Sequence, residues 1–336
     1  MEKYVGPLPP NPTENQHFIA QSVQGLNAAP SANGKISHIQ VYRRVGENTI
    51  SLVNKGGLPI RHNLALLDLY TFDLTGAMRR NFESLFRRYE DDLPRKTLSL
   101  VRKIRANTLD LHDEIISIIG SKMLDFIRNP YSIRKCLAMF PHFDKFHPTS
   151  AESNEIYQRI WDGNNPRQER ICRLLGVTSF EYRRWLVTIF MLTYEHPGMS
   201  ETFLDQIIIS LITSRENYAA THFFIYDRPA VLLSDRSFNE IDNGKIFAME
   251  FHASAELIVT FMVLNLNEWE FKKPLNITKK NIEAFKNFRD PILQAFIVKN
   301  EEEILKSYNK RTVAYCHQHV YGVAHSFPGI EIQETN

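Results

Sequence analysis

Cysteine is scarce. Cys136, Cys172 and Cys316 are the three in 336 residues, an odd and widely spaced set with no C-x-x-C pair. That excludes a disulfide framework and leaves reduced thiols of a cytosolic protein as the expectation. Long apolar runs are missing too. The most apolar stretches, Trp185–Tyr194 and Leu257–Leu266, are each about half a membrane span, and Asp205 interrupts Phe203–Thr213, so no membrane partner is expected. The first residues, MEKYVGPLPPNPTENQ, contain no apolar h-region, and a cytoplasmic, soluble protein is the expectation. Excess charge of one sign is absent: the net charge is +2, so electrostatic function has to come from local patches. There is no Walker A run, no G-x-G-x-x-G fingerprint, and no G-x-S-x-G setting around Ser234. Internal repeats and low-complexity blocks are lacking as well.

What is present is an ordinary globular composition, 43% hydrophobic and 23% charged, long enough for a sizeable core. Residues 1–16 carry four prolines and read as an extended arm, followed by one domain over 17–325 and a tail at 326–336. His17–Ala29 reads as a short helix stopped by Pro30 and an Asn33-Gly34 turn. Ile36–Arg44 and Thr49–Val53 read as a hairpin, and Leu64–Phe72 fits either helix or strand. Thr75–Asp110 has the strongest helical pattern, with Met78, Phe82, Leu85, Phe86, Tyr89 and Leu93 three and four residues apart and a break at Pro94. Helices are expected next at Asp110–Arg128 and Tyr131–Phe140, then at Glu155–Trp161, Arg167–Leu175, Ser179–Tyr194 and Ser200–Ser214. Thr221–Ser237 is the clearest paired-strand signal: Phe223–Ile225 and Val231–Leu233 are apolar runs separated by Asp227-Arg228-Pro229. Lys245–Phe251 and Glu256–Leu264 add two strands, and helices at Thr278–Lys299 and Glu301–Tyr321 close the chain. Strands early and late with helices between predict an α+β fold, predominantly helical, with a small and mainly antiparallel sheet built from the N-terminal hairpin and strands near 222–264.

Several stretches, in order, resemble the domain of unknown function 4238 family. His17-Phe18-Ile19-Ala20-Gln21 with Leu26 is similar to its opening motif, with Ala20 in place of a proline. Ile39–Arg43 and Leu69-Tyr70 resemble its strand ending in tyrosine. Glu83 and Glu90 match two glutamates about a heptad apart on a helix. Ser234-Asp235 resembles its Ser-Asp-Asn-Pro motif, with Arg236 and Ser237 replacing Asn-Pro, and Tyr308-Asn309 to Tyr321 is similar to its C-terminal helix. The resemblance covers nearly the whole chain and makes this a divergent member. It implies no assigned reaction. It does imply an association of some members with bacterial defence against phage, and it marks His17, Glu83, Glu90, Asp235 and Asn309 as candidate catalytic residues.

Between Arg79 and Arg105 lie nine Lys/Arg against four acids. Arg79, Arg80, Arg87, Arg88, Arg95, Lys96, Arg102 and Lys103 are candidate nucleic-acid contacts, since phosphate binding needs such clusters. Arg167, Arg170, Arg173, Arg183 and Arg184 form a second group. The same residues also read as a solvated face with Glu83–Arg87 pairing four apart. Glu83 and Glu90 share a helix face, and paired carboxylates either hold a divalent metal or act as acid and base; ion pairs with the flanking arginines are the plainer reading. Arg311 and His317, with five residues between them, resemble the motif of HEPN-type ribonucleases, which are all-helical and metal-independent. Cys316, His317 and His319 lack a fourth zinc ligand, and a helix would aim the two histidines apart. Two functions stay open. One is a single-chain anti-phage effector acting on nucleic acid, a nuclease or other phosphodiester hydrolase. The other is a non-catalytic sensor that binds a phage component or a partner protein.

Overall fold

The computed structural model describes residues 8–28, 38–75, 78–108, 110–165, 167–195, 198–242, 246–266, 283, 287 and 293–333. The fold is α+β. The N-terminal half opens with β1 (Asn15–His17), α1 (Gln21–Gly25), β2 (His38–Arg44), β3 (Thr49–Leu52), β4 (Leu58–Pro59), β5 (Ala65–Leu67), β6 (Thr71–Thr75) and β7 (Met78–Asn81). A helical block follows: α2 (Glu83–Glu90), α3 (Leu93–Arg105), α4 (His112–Arg128), α5 (Ile133–Met139), α6 (Ala151–Asp162), α7 (Gln168–Leu175), α8 (Ser179–Thr193) and α9 (Phe203–Thr213). The C-terminal part holds β8 (Asn217–Ile225), β9 (Leu233–Ser234), β10 (Phe238–Asp242), β11 (Ile246–Ser254), β12 (Leu257–Asn265), β13 (Gln294–Lys299), α10 (Glu302–Tyr315), β14 (His319–Gly322) and β15 (Glu331–Gln333).

The core is built around α8. Every residue from Trp185 to Thr193 is buried, which a helix tolerates only when apolar on all sides. Its one large polar group is satisfied: Trp185 Nε1 donates to the Ile127 carbonyl at 2.7 Å. A capping box at Thr178 and Glu181 starts it, and a second at Thr202 and Asp205 starts α9. These boxes lie beside Ser179 and Ser200, the residues whose pattern suggested the starts. Among the described residues no helix is long and apolar enough to cross a membrane.

Strands fall into two larger sheets. One has the order β10-β11-β12-β8-β13, antiparallel except for β13 on β8; the other has the order β15-β3-β2-β14-β9, with β4 on β2 and β15 parallel to β3. The expected hairpin β2–β3 is present, with Arg43 opposite Ser51. The strands β11 and β12 also form as expected.

Four expectations change. The helix anticipated over 75–110 starts only at Glu83, because β6 and β7 form a hairpin first and the Asn81 side chain accepts the Glu83 amide at 3.1 Å. Arg79 and Arg80 therefore lie on a strand, while the expected break at Pro94 is present, the proline standing in the first turn of α3. The two apolar runs of 221–237 do not pair with each other. β8 pairs with β12 and β13, while β9 pairs with β14 in the other sheet, so this stretch crosses between sheets. The final helix stops at Tyr315, because the amides of 317–319 are taken by the Asp235 carboxylate rather than by helical carbonyls. Gln294–Lys299 is a strand, not the end of a helix; most of 278–292 lies outside the described residues, as do Pro30 and the Asn33-Gly34 turn. Both ends of the domain are also tied down. Leu8 is fully buried in the anticipated arm, and β15 in the anticipated tail joins a sheet.

Candidate functional site

Lys122, Asp125 and Arg128 stand at three-residue steps on one flank of α4. Each is almost wholly buried, where unpaired charge is prohibitively costly. Asp125 is the hub. Its Oδ1 accepts Arg128 Nη2 at 3.1 Å, and its Oδ2 accepts Ser237 Oγ at 2.7 Å. Lys122 Nζ donates to Ser237 Oγ at 2.8 Å and lies 3.4 Å from Asp125 Oδ2. Burial holds the Lys122 pKa below its ordinary value, with Asp125 opposing. Ser237 sits at φ 70°, a left-handed conformation unusual for serine, and this turn carries its hydroxyl into the network.

α2 lies across α4 and contributes the paired carboxylates. Arg128 Nη1 is 2.5 Å from Glu90 Oε1, and its guanidinium lies over the Phe86 ring at 4.9 Å. Burial works to lower the Arg128 pKa, but Glu90 and Asp125 outweigh it and hold the group charged. Glu83, one helical face along, is pushed up to about 7 by burial, with the Glu90 charge adding and Arg128 opposing. Its Oε1 is buried without a hydrogen-bond partner. Burial also raises Glu90.

His17 enters from β1, which pairs with β5. The preceding residue, Gln16, anchors that strand: its side chain takes the Tyr70 amide and donates to Thr71 Oγ1 at 2.9 Å. The His17 pKa is lowered to about 4, first by burial and further by Arg128, while main-chain contacts at Ile60 and Arg61 oppose. His17 is 8% exposed, and its Nε2 has no hydrogen-bond partner. Tyr70 closes the group, donating its hydroxyl to the Arg128 carbonyl at 2.8 Å. On the far side the polar network continues to His252, whose Nε2 is 2.6 Å from Asn27 Nδ2; burial holds that imidazole far below its ordinary pKa, with Lys122 adding.

With Glu83 protonated, two cations (Lys122 and Arg128) face two anions (Asp125 and Glu90). Burial, more than this balance, lets Glu83 hold its proton up to about neutral pH, with Arg128 opposing and Glu90 adding. The group thus combines a carboxyl that titrates near 7, a neutral imidazole with an open nitrogen and a fixed guanidinium. Those are the elements of general acid, general base and anion stabiliser.

Of the residues singled out in the sequence, Glu90 joins this network through Arg128, and Glu83 and His17 lie within reach of the Arg128 charge. Asp235, Asn309, Arg311 and His317 do not. The Asp235 carboxylate accepts the amides of His317, Gln318 and His319 at 2.7, 2.7 and 2.9 Å. Asn309 bridges the Leu232 amide and the Ala230 carbonyl. Arg311 forms a two-point ion pair with buried Glu250 at 2.7 and 3.0 Å, while His317 lies beyond the end of α10, stacked on Tyr131 at 4.0 Å. No shared helix presents Arg311 and His317 as the ribonuclease-like spacing requires. Among the described residues no group of three or more His, Cys, Asp or Glu is placed to hold a metal ion, so Glu83 and Glu90 gain no further such ligand.

Most of the basic candidates carry carboxylate partners. Arg79 pairs with Asp68 at 2.8 Å, Arg88 with Glu195 and Asp205 at 2.8 Å each, Arg95 with Asp92, Lys96 with Asp113 at 3.8 Å and Lys103 with Glu114 at 3.0 Å. Arg80 is half-buried. Arg87 and Arg102 are exposed and outside any ion pair among the described residues. In the second basic group, Arg167 pairs with Asp68 and Arg184 with Asp144.

Sequence reasoning missed Lys122, Asp125, Arg128 and Ser237. A signal existed for the first three. Ile118, Lys122 and Asp125 continue the apolar stripe of α4 at helical spacing, so charge was being written onto an inward face. Comparison of the chain with models of protein families, with curated proteins and with solved structures returned no match.

Proposed function

We propose that this chain is an anti-phage effector that hydrolyses phosphodiesters at the His17–Glu83–Arg128 cluster. One observation carries the reading: of the residues behind the family resemblance, Glu90 pairs with Arg128, Glu83 and His17 both lie within reach of its charge, and His17 Nε2 and Glu83 Oε1 are buried without hydrogen-bond partners. In the proposed step, neutral His17 takes a proton from the attacking hydroxyl or water. Glu83 gives its proton to the leaving oxygen, and Arg128 steadies the charge that builds on the phosphoryl oxygens. Glu90, with its side chain 21% exposed, brings the cluster to the surface of α2, the helix that also carries the unpaired Arg87.

The test is an infection assay comparing wild type with His17→Ala and Glu83→Gln, each confirmed folded by circular dichroism, while cellular RNA and DNA are followed. Cleavage in the wild type and loss of both cleavage and protection in the variants are expected. Protected cultures with intact RNA and DNA would refute the phosphodiester reading. The alternative, a non-catalytic sensor of a phage component or partner protein, draws support from the saturated side chains of Asp235, Asn309 and Arg311. On that reading Glu83→Gln keeps protection and substitutions of exposed residues abolish it.

A further inference from the structure

A separate hollow of about 170 Å³ lies where the starts of α5 and β10 meet the end of α10, lined by Ser132, Lys135, Arg236, Phe238, Glu240 and Tyr315. Two of its polar groups are open. Ser132 is 2% exposed, and its Oγ has no hydrogen-bond partner. Arg236 Nε is buried without a partner, and its guanidinium meets no carboxylate among the described residues. Leaving such groups unsatisfied costs about 1–3 kcal/mol each, so a ligand that satisfies both recovers that cost on binding.

The charge around the hollow selects the ligand. Lys135 and Glu240 are paired across its wall and cancel. The neighbouring Asp235 carboxylate is committed to three main-chain amides. Arg236 is therefore the uncompensated charge, and its proximity helps lower the pKa of His317, after burial. A guanidinium fork and a hydroxyl donor border one small space. Donors set in different directions suit a tetrahedral group with three terminal oxygens better than a planar carboxylate with two. The volume falls below the roughly 300 Å³ at which pockets enclose whole drug-sized ligands, so only a head group enters. Outside it, Tyr315 is 56% exposed and offers a ring on which an attached base can stack.

We propose that this hollow binds a phosphate monoester dianion, seated on Arg236 and Ser132, with Tyr315 beneath the group that carries it. The carrier is a free nucleotide or a nucleic-acid end, which share this chemistry. The site uses no residue of the Arg128 cluster, and it stands whether or not that cluster is catalytic.

Calorimetric titration of the full chain tests it, with inorganic phosphate, a 5′-mononucleotide, and one oligonucleotide with and without a 5′-phosphate. Saturable binding that requires the phosphate is expected. Arg236→Gln should weaken it about ten-fold or more, and Ser132→Ala about three- to ten-fold, with melting temperatures checked to show that both variants fold. Tyr315→Ala should remove the advantage of the nucleotide over inorganic phosphate. Tighter binding of the mononucleotide than of the phosphorylated oligonucleotide assigns the carrier as a free nucleotide; the reverse assigns a nucleic-acid end. Absence of saturable phosphate binding by the wild type overturns the proposal, as does equal affinity in both the Arg236→Gln and the Ser132→Ala variants.

Discussion

Arg128 holds two carboxylates at once, Glu90 through Nη1 and Asp125 through Nη2. Arg128→Met keeps the bulk over Phe86 but leaves both acids without their cation. Removing one partner of a buried pair typically costs about 3–5 kcal/mol, and urea denaturation should register a loss of that size. A loss under about 1 kcal/mol would mean that the acids find other partners or water. Glu83 supplies a pH signature. Its folded pKa of about 7 lies above its ordinary value of 4.5. The folded state therefore binds the extra proton, and the stability from that group is complete below pH 4.5 and lost as pH rises through 7. His17 runs the other way: held at about 4 against 6.5, it contributes fully above pH 6.5 and loses that contribution as pH falls through 4. The difference between wild type and Glu83→Gln isolates the carboxyl. From pH 4.5 to 8 the wild type should lose about 2 kcal/mol relative to the variant, after allowance for its half-buried setting. Parallel stability curves would show that Glu83 titrates normally.

At the scale of elements, the decisive joint is the one between β9, α10 and β14. Asp235 ends β9 and, by accepting three successive amides, turns the chain out of α10 and into β14. Asp235→Ala removes three charge-assisted hydrogen bonds from a buried place. A cost of about 3 kcal/mol is expected, with hydrogen exchange at 317–319 accelerated ahead of the rest of the sheet. If exchange there stays as slow as in the wild type, the turn is held by packing instead. This joint was not legible in the sequence. Ser-Asp at a strand end reads equally well as an ordinary turn, and α10 carries helical residues up to its last turn. By contrast α4, α8 and the hairpin β2–β3 were legible, because each writes its own periodicity. The hairpin β6–β7 was not, since Met78 and Phe82 fit a helical stripe by spacing alone although Met78 is exposed.

For the whole molecule, the question is how much positive field survives folding. The stretch 79–105 carries a local excess of five positive charges, but Arg79, Arg88, Arg95, Lys96 and Lys103 are neutralised by acids, several from distant segments such as Glu195 and Asp205. If nucleic acid binds this face, Arg87 and Arg102 are the cations available. The slope of log affinity against log salt should then be shallow, about 1–2 in magnitude. Arg87→Gln combined with Arg102→Gln should abolish it, and Arg95→Gln should leave it unchanged. Filter-binding or fluorescence titrations over a salt series read this directly. A slope of about five or steeper would mean that the paired cations leave their acids on binding.

The sequence by itself determined the fold class, most of the helical block and the strands β2, β3, β8, β11 and β12, because hydrophobic period and turn residues act locally. It also picked out His17 and Glu83 as residues of interest, through a motif. Only the tertiary structure decided which of the candidates meet. Asp235 and Arg311 carry the same chemical groups as the cluster, yet they, like Asn309, are spent on the backbone or on Glu250. Glu83 differs because burial beside Glu90 and Arg128 leaves one oxygen open and its proton in place near neutral pH. Desolvation and pairing across long sequence separations set that difference, and neither is written in the spacing of a single segment.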